Sequence, residues 1–122
     1  MNSVYKNIVL LLYIILIFSI SSIPGHGFIG KIHQFGIDKI FHFFEYLILG
    51  YLLVMAVNKK SNIFKIFYIL ILSIAYLDEY FVQHISGRTV DHLDFLFNLL
   101  GLYTGIFISI LATNYYDKKN KN

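Results

Sequence analysis

Ten strongly polar or ionisable side chains, Asp38, His42, Glu45, Asp78, Glu79, Gln83, Arg88, Asp91, Asp94 and Asn98, stand at the ends of segments that are otherwise apolar enough to cross a bilayer. Charge at that depth is costly, so any fold of this chain must give these groups partners or a use. If the apolar segments are consecutive spans, the chain reverses between them. The polar start of the second run, the polar end of the third and the polar start of the fourth then share one membrane face.

The runs cover about residues 5–23, 38–57, 63–83 and 91–112. The composition, 57% hydrophobic and 14% charged over 122 residues, lies well below the usual charge content of a soluble domain, about a quarter. Spans of this length without period-2 alternation predict helices, because each backbone polar group must be satisfied within its own segment. The expectation is an all-α, polytopic membrane protein: a four-transmembrane-helix bundle forming a single domain over 1–122, since one proline and no Pro/Ser-rich stretch leave no linker. Lys6 before the first run, with Ser19, Ser21 and Ser22 after its core, also fits a cleavable signal peptide, but the length favours an uncleaved span across a core of about 30 Å. A Gly-rich loop with Gly25, Gly27, Gly30 and Gly36 precedes the second run, a short loop with Gly87 and Arg88 precedes the fourth, and the charged tail 117–122 reads as disordered.

The net charge of +3 comes from lysines clustered beside the ends of the runs, Lys59, Lys60 and Lys65, then Lys118, Lys119 and Lys121. That pattern is topological and not a phosphate-binding stripe, so nucleic acid is not an expected partner. With four spans these lysines and Lys6 share a face, opposite Lys31, Lys39 and Arg88. The positive-inside rule makes their face cytoplasmic, places both termini there, and opens the polar ends outward from a bacterial plasma membrane. The absence of cysteine removes disulfides, thiolate nucleophiles and thiolate metal sites.

At about 100° per residue, Asp38, His42 and Glu45 fall within a narrow arc of one helix. Asp91, Asp94 and Asn98 repeat the arrangement, and their stripe continues through Gly101 and Gly105, a small-xxx-small pair that admits a close neighbouring helix. At a rise of about 1.5 Å per residue, Glu45 and Asn98 lie roughly 10 Å inward, and Asp78 and Glu79 reach a comparable depth. Matched depths predict one shared pocket. Its acids would repel one another if all were ionised, so the pocket needs a cation, a proton or Arg88, whose planar fork suits two carboxylates or an anionic head group.

Two plainer readings compete. Each polar group alone could serve as interhelical glue, although gluing helices does not call for four carboxylates at one level. Asp38, Lys39 and Asp91 lie nearest the boundary, as plain interface residues or, for the aspartates, as helix N-terminal charges. His42, Glu45, Glu79 and Asp94 could also ligate a metal, but no compact motif such as HExxH occurs and no metal or other cofactor is assigned. His84 reads as a loop residue, His26 and His33 lie in the Gly-rich loop, and Tyr80, Phe81, Tyr115 and Tyr116 suit interfacial belts.

The residues Asp-Lys-Ile-Phe-His-Phe-Phe-Glu-Tyr from Asp38 to Tyr46, then Asp78-Glu79 with Gln83, then Gly87-Arg88-Thr89 followed by Asp91, Asp94, Asn98 and Gly101, closely resemble the VanZ-like family of small bacterial membrane proteins. The motifs keep that family's order over about 38–105. The resemblance points to Asp38, Lys39, His42, Tyr46, Asp78, Glu79, Gln83, Arg88, Asp94, Asn98 and Gly101; Glu45 departs from it and rests on geometry alone. It implies a cell-envelope role and an association with resistance to teicoplanin, a lipoglycopeptide acting at the outer surface.

Three functions follow in order. The first is a pocket that binds or modifies a lipid-linked or head-group substrate from the outer leaflet, with Asp78, Glu79 and His42 as proton-handling groups and Arg88, Asp94, Asn98, Gln83, Glu45 and Tyr46 contacting substrate. The second is a non-catalytic accessory module. The third is a small proton-coupled transporter, ranked last because the inner halves of the second and fourth runs offer no polar path. Membrane lipid is the expected surrounding partner, and the oligomeric state is not legible.

Overall fold

The computed structural model describes residues 3–24, 36–57 and 62–120. Gly25, Gly27, Gly30, His26, His33, Lys31, Lys59, Lys60 and Lys121 therefore lie outside the described residues. The described residues form four helices and no strand: α1 (Ser3–Ser21), α2 (Ile37–Ala56), α3 (Asn62–Ile85) and α4 (His92–Lys119), each long and apolar enough to cross a membrane.

Large apolar side chains cover the outer faces, among them Leu12 and Ile15 of α1, Ile66 and Ile69 of α3, and Phe107 and Leu111 of α4, all at least 52% exposed. Water would not tolerate so much apolar surface, whereas lipid is its matching solvent. α1 buries only Leu10, Ile17 and Ser21, a single seam at helical spacing. The interior is built from Tyr46, Leu49, Leu53, Ile71, Ala75 and Leu102, with Leu10 and Ile17 joining from α1.

α2 and α4 run parallel in closest contact, because glycines remove the side chains that would separate them. A Cβ on Gly101 would overlap the Phe43 carbonyl oxygen, one on Gly105 the Leu47 carbonyl oxygen, and one on Gly50 the Leu102 carbonyl oxygen. The Gly101/Gly105 pair has its counterpart in Gly50, which the sequence reading did not single out. Backbone approach of this kind replaces the hydrophobic drive that helices lack within lipid.

α3 widens into a π turn over Asp78–Val82, closed by the Gln83 N–H on the Asp78 carbonyl. It then ends at Gly87, whose φ of 75° is left-handed and suits glycine, with the Gly87 and Arg88 N–H groups donating to the His84 and Gln83 carbonyls. α4 begins at Asp91, whose Oδ1 accepts from the Leu93 N–H at 2.8 Å, so this aspartate is an N-cap. The charged tail departs from expectation: α4 continues past Ala112 to Lys119. Lys118 and Lys119 occupy its last turn, where cations complement the helix dipole.

Candidate functional site: a polar cluster between helices α2, α3 and α4

The four helices bring together the end of α1, the start of α2, the end of α3 and the start of α4. Ser86 Oγ donates to the Ser21 carbonyl at 3.1 Å, which ties the loop after α3 to the end of α1. Lys39 of α2 reaches the start of α4, Tyr46 of α2 reaches Asp78 of α3, and Glu79 of α3 accepts from the backbone of Asp91.

Along α2 the buried stripe is Asp38, His42, Tyr46, Leu49 and Leu53. The arc therefore continues inward through Tyr46, and Glu45 sits on its flank with a side chain 14% exposed. Asp38 stands in the first turn of α2, where it fits the helix N-terminal charge of the two readings given for it, and at 4% exposed it also lies one helical turn above His42 on the same inward face. On α4 the stripe is Asp94, Asn98, Gly101 and Gly105, in the expected order. Two consecutive residues of α3, Asp78 and Glu79, are both fully buried, and they stand at the start of the wider π turn.

The hydrogen bonds divide the cluster into three linked parts. Tyr46 Oη donates to Asp78 Oδ2 at 3.1 Å, with Ser21 beside the same carboxylate. Glu79 accepts at both oxygens, from Gln83 Nε2 at 2.7 Å and from the Asp91 N–H at 3.0 Å. Lys39 Nζ donates to Asp91 Oδ2 at 2.7 Å and Asp94 Oδ1 at 2.9 Å, and stands 3.9 Å from Asp38. Lys39 is thus a counter-ion at the centre of the cluster and not the boundary residue that sequence reasoning made of it. The signal available was its depth, level with Asp91 on a parallel helix drawn close by glycines.

His42 joins the parts. Its Nε2 is 3.8 Å from Asp94 Oδ2 and its Nδ1 is 4.0 Å from Glu45 Oε2. His42, Glu79 and Asp94 each place one donor atom within 4.8 Å of the others. Asn98 lies fully buried beside the His42 ring, yet neither its amide nitrogen nor its oxygen closes a hydrogen bond of ordinary geometry. Asp78 Oδ1 and Gln83 Oε1 are likewise buried without one.

Arg88 stands on the other side of His42. Together with Asp38, His42 and Glu45, and with Ile20, Ser21 and Phe41, it lines a cavity of about 210 Å³ between α1 and α2. Its charge acts on His42, Glu45, Asp78 and Glu79, while the direct contacts to Asp91 and Asp94 belong to Lys39. Among the described residues, six carboxylates, Asp38, Glu45, Asp78, Glu79, Asp91 and Asp94, gather near Lys39 and Arg88. Carboxylates brought this close in a site of low dielectric are held by bound cations or protons.

Comparison with known proteins agrees with the motif order. A model of the VanZ/LLP1 family matches residues 4–113, a longer stretch than the three motifs span. Neither a curated protein nor a solved structure matches the chain.

Proposed function

Because the chain belongs to the VanZ/LLP1 family, we propose that it is a multi-pass protein of the bacterial cell envelope whose polar cluster receives the head group of an amphiphilic, lipid-linked substrate. The observation that carries this reading is the composition of the cavity. One wall is polar, with Asp38, His42, Glu45 and Arg88; the rim carries Ile20 and Phe41, which are 45% and 60% exposed on the lipid-facing surface. A cavity of that kind suits a molecule whose charged end leaves the interface while its chains stay in the bilayer.

In this proposal Arg88 meets an anionic group of the substrate through its planar fork. Glu79, Asp78 and His42 exchange protons with the bound head group, and Asp94, Asn98, Gln83, Glu45 and Tyr46 fix its position. The cavity opens to the outer leaflet, with both termini cytoplasmic, by the lysine distribution already described. An outward site agrees with an effect on susceptibility to glycopeptides such as teicoplanin.

The experiment is teicoplanin susceptibility of a sensitive Gram-positive host expressing wild type, Glu79→Gln or Arg88→Ala at membrane levels matched by immunoblot. Protection by wild type and its loss in both variants is the expected result. Three strains indistinguishable from empty vector would remove the resistance reading and leave the membrane architecture.

A second reading has its own support. Glu79 Oε1 already holds α3 against the start of α4 by accepting from the Asp91 N–H, while Oε2 is taken by Gln83 of its own helix, a purely architectural use. An accessory protein that needs the fold but no chemistry would tolerate Arg88→Ala and fail with bulky side chains at Gly101 or Gly105.

A further inference from the structure

The geometry points to a divalent-cation site formed by His42, Glu79 and Asp94, one ligand from each of three helices. This goes beyond the substrate reading and does not depend on it.

The donor set is one imidazole and two carboxylates in a chain without cysteine, which suits Zn²⁺ or Mn²⁺. The three donor atoms lie within 4.8 Å of one another, and His42 Nε2 is 3.8 Å from Asp94 Oδ2. Donors held at about 2.1 Å from a common ion stand roughly 3 to 3.5 Å apart, so side-chain shifts of about 1 Å close the set.

Each ligand also has the outer partner that metal ligands commonly have. The other ring nitrogen of His42 faces Glu45 at 4.0 Å without a hydrogen bond between them, so an approach of about 1 Å would complete a carboxylate–histidine arrangement. Gln83 and the Asp91 N–H orient Glu79, and Lys39 orients Asp94 through its other oxygen.

Asn98 supplies the independent observation. It is fully buried beside His42, and both ends of its amide lack a hydrogen bond of ordinary geometry. A buried amide left so is costly. A cation bound next to it supplies the missing partner of the amide oxygen, directly or through a coordinated water that donates to it.

The test uses the full-length protein purified in detergent, stripped with chelator and equilibrated with Zn²⁺ or Mn²⁺. Metal content is read by mass spectrometry, affinity by calorimetry, and melting temperature with and without the ion. Wild type is expected to retain about one ion per chain and to melt higher with it. His42→Gln and Asp94→Asn should each weaken binding more than 10-fold, and Glu45→Gln, which alters only an outer partner, about 10- to 100-fold. Wild type that takes up no stoichiometric ion at about 1 mM overturns the inference whatever the variants do, as does binding that is unchanged in His42→Gln and Asp94→Asn. A protein that binds no ion yet protects against teicoplanin removes this inference and leaves the substrate reading, whereas one that binds the ion without protecting does the reverse.

Discussion

Lys39 donates to two carboxylates on another helix, and one of them, Asp94, has no exposure at all. Replacing one member of a buried pair leaves the other charge uncompensated, at about 3–5 kcal/mol. Lys39→Met should therefore lower stability in micelles by about 3 kcal/mol, and adding Asp94→Asn should recover much of that loss, which a double-mutant cycle on thermal melting measures. Tyr46→Phe is milder: it removes one hydrogen bond to Asp78 and should cost about 1 kcal/mol. The acids themselves were legible, because Asp78, Glu79, Asp94 and Asn98 stand out against apolar neighbours and cannot face lipid. Lys39 was marked by the family resemblance alone, since depth and spacing make a lysine near a helix end a snorkelling side chain. What changes its role is the approach of α4, a tertiary fact.

At the level of the helix, the α2–α4 seam and the π turn set the site's geometry. A methyl group at Gly101 or Gly105 meets backbone carbonyl oxygen and not a flexible side chain, so the helices themselves must move. Gly101→Ala and Gly105→Ala should each destabilise by about 1–3 kcal/mol and weaken any function of the cluster. Gly87→Ala meets open space and bears only the left-handed φ, about 1–2 kcal/mol. Thermal melting of the three variants side by side checks the order. Within the π turn, deleting Phe81, which is 53% exposed, should restore ordinary helical register and change the Gln83–Glu79 spacing from four residues to three, which alters their 2.7 Å hydrogen bond while keeping both on one face. Retained membrane insertion with lost activity is the expected result, read by immunoblot and the susceptibility assay. Gly101 and Gly105 were readable from their spacing. Gly50 was not, because it has no small residue four positions away to mark it, and a one-residue widening of α3 leaves no trace in hydropathy.

For the whole molecule, the fold class was legible because lipid permits few solutions: runs of this length must be helices, and consecutive helices must alternate in direction. That argument fixes which ends of the helices meet but not which side of the membrane they face. Charge gives an expectation for the side. Lys6, Lys65, Lys118 and Lys119 stand at the ends remote from the cluster, while Lys39, at the cluster end, is engaged with Asp91 and Asp94. Arg88 lies at the cluster end as well, so among the described residues the remote ends carry four Lys against one Lys and one Arg, and the positive-inside rule favours a cytoplasmic position for the remote ends. The natural absence of cysteine allows a direct check with single cysteines at two exposed positions, His84→Cys near the cluster and Lys118→Cys at the opposite end. In intact cells a membrane-impermeant maleimide should label His84→Cys and spare Lys118→Cys, which should react only after permeabilisation. The reverse pattern would turn the cavity toward the cytoplasm. An extracellular lipoglycopeptide or outer-leaflet head group could then not reach Arg88, and the substrate would have to be sought among inner-leaflet amphiphiles instead.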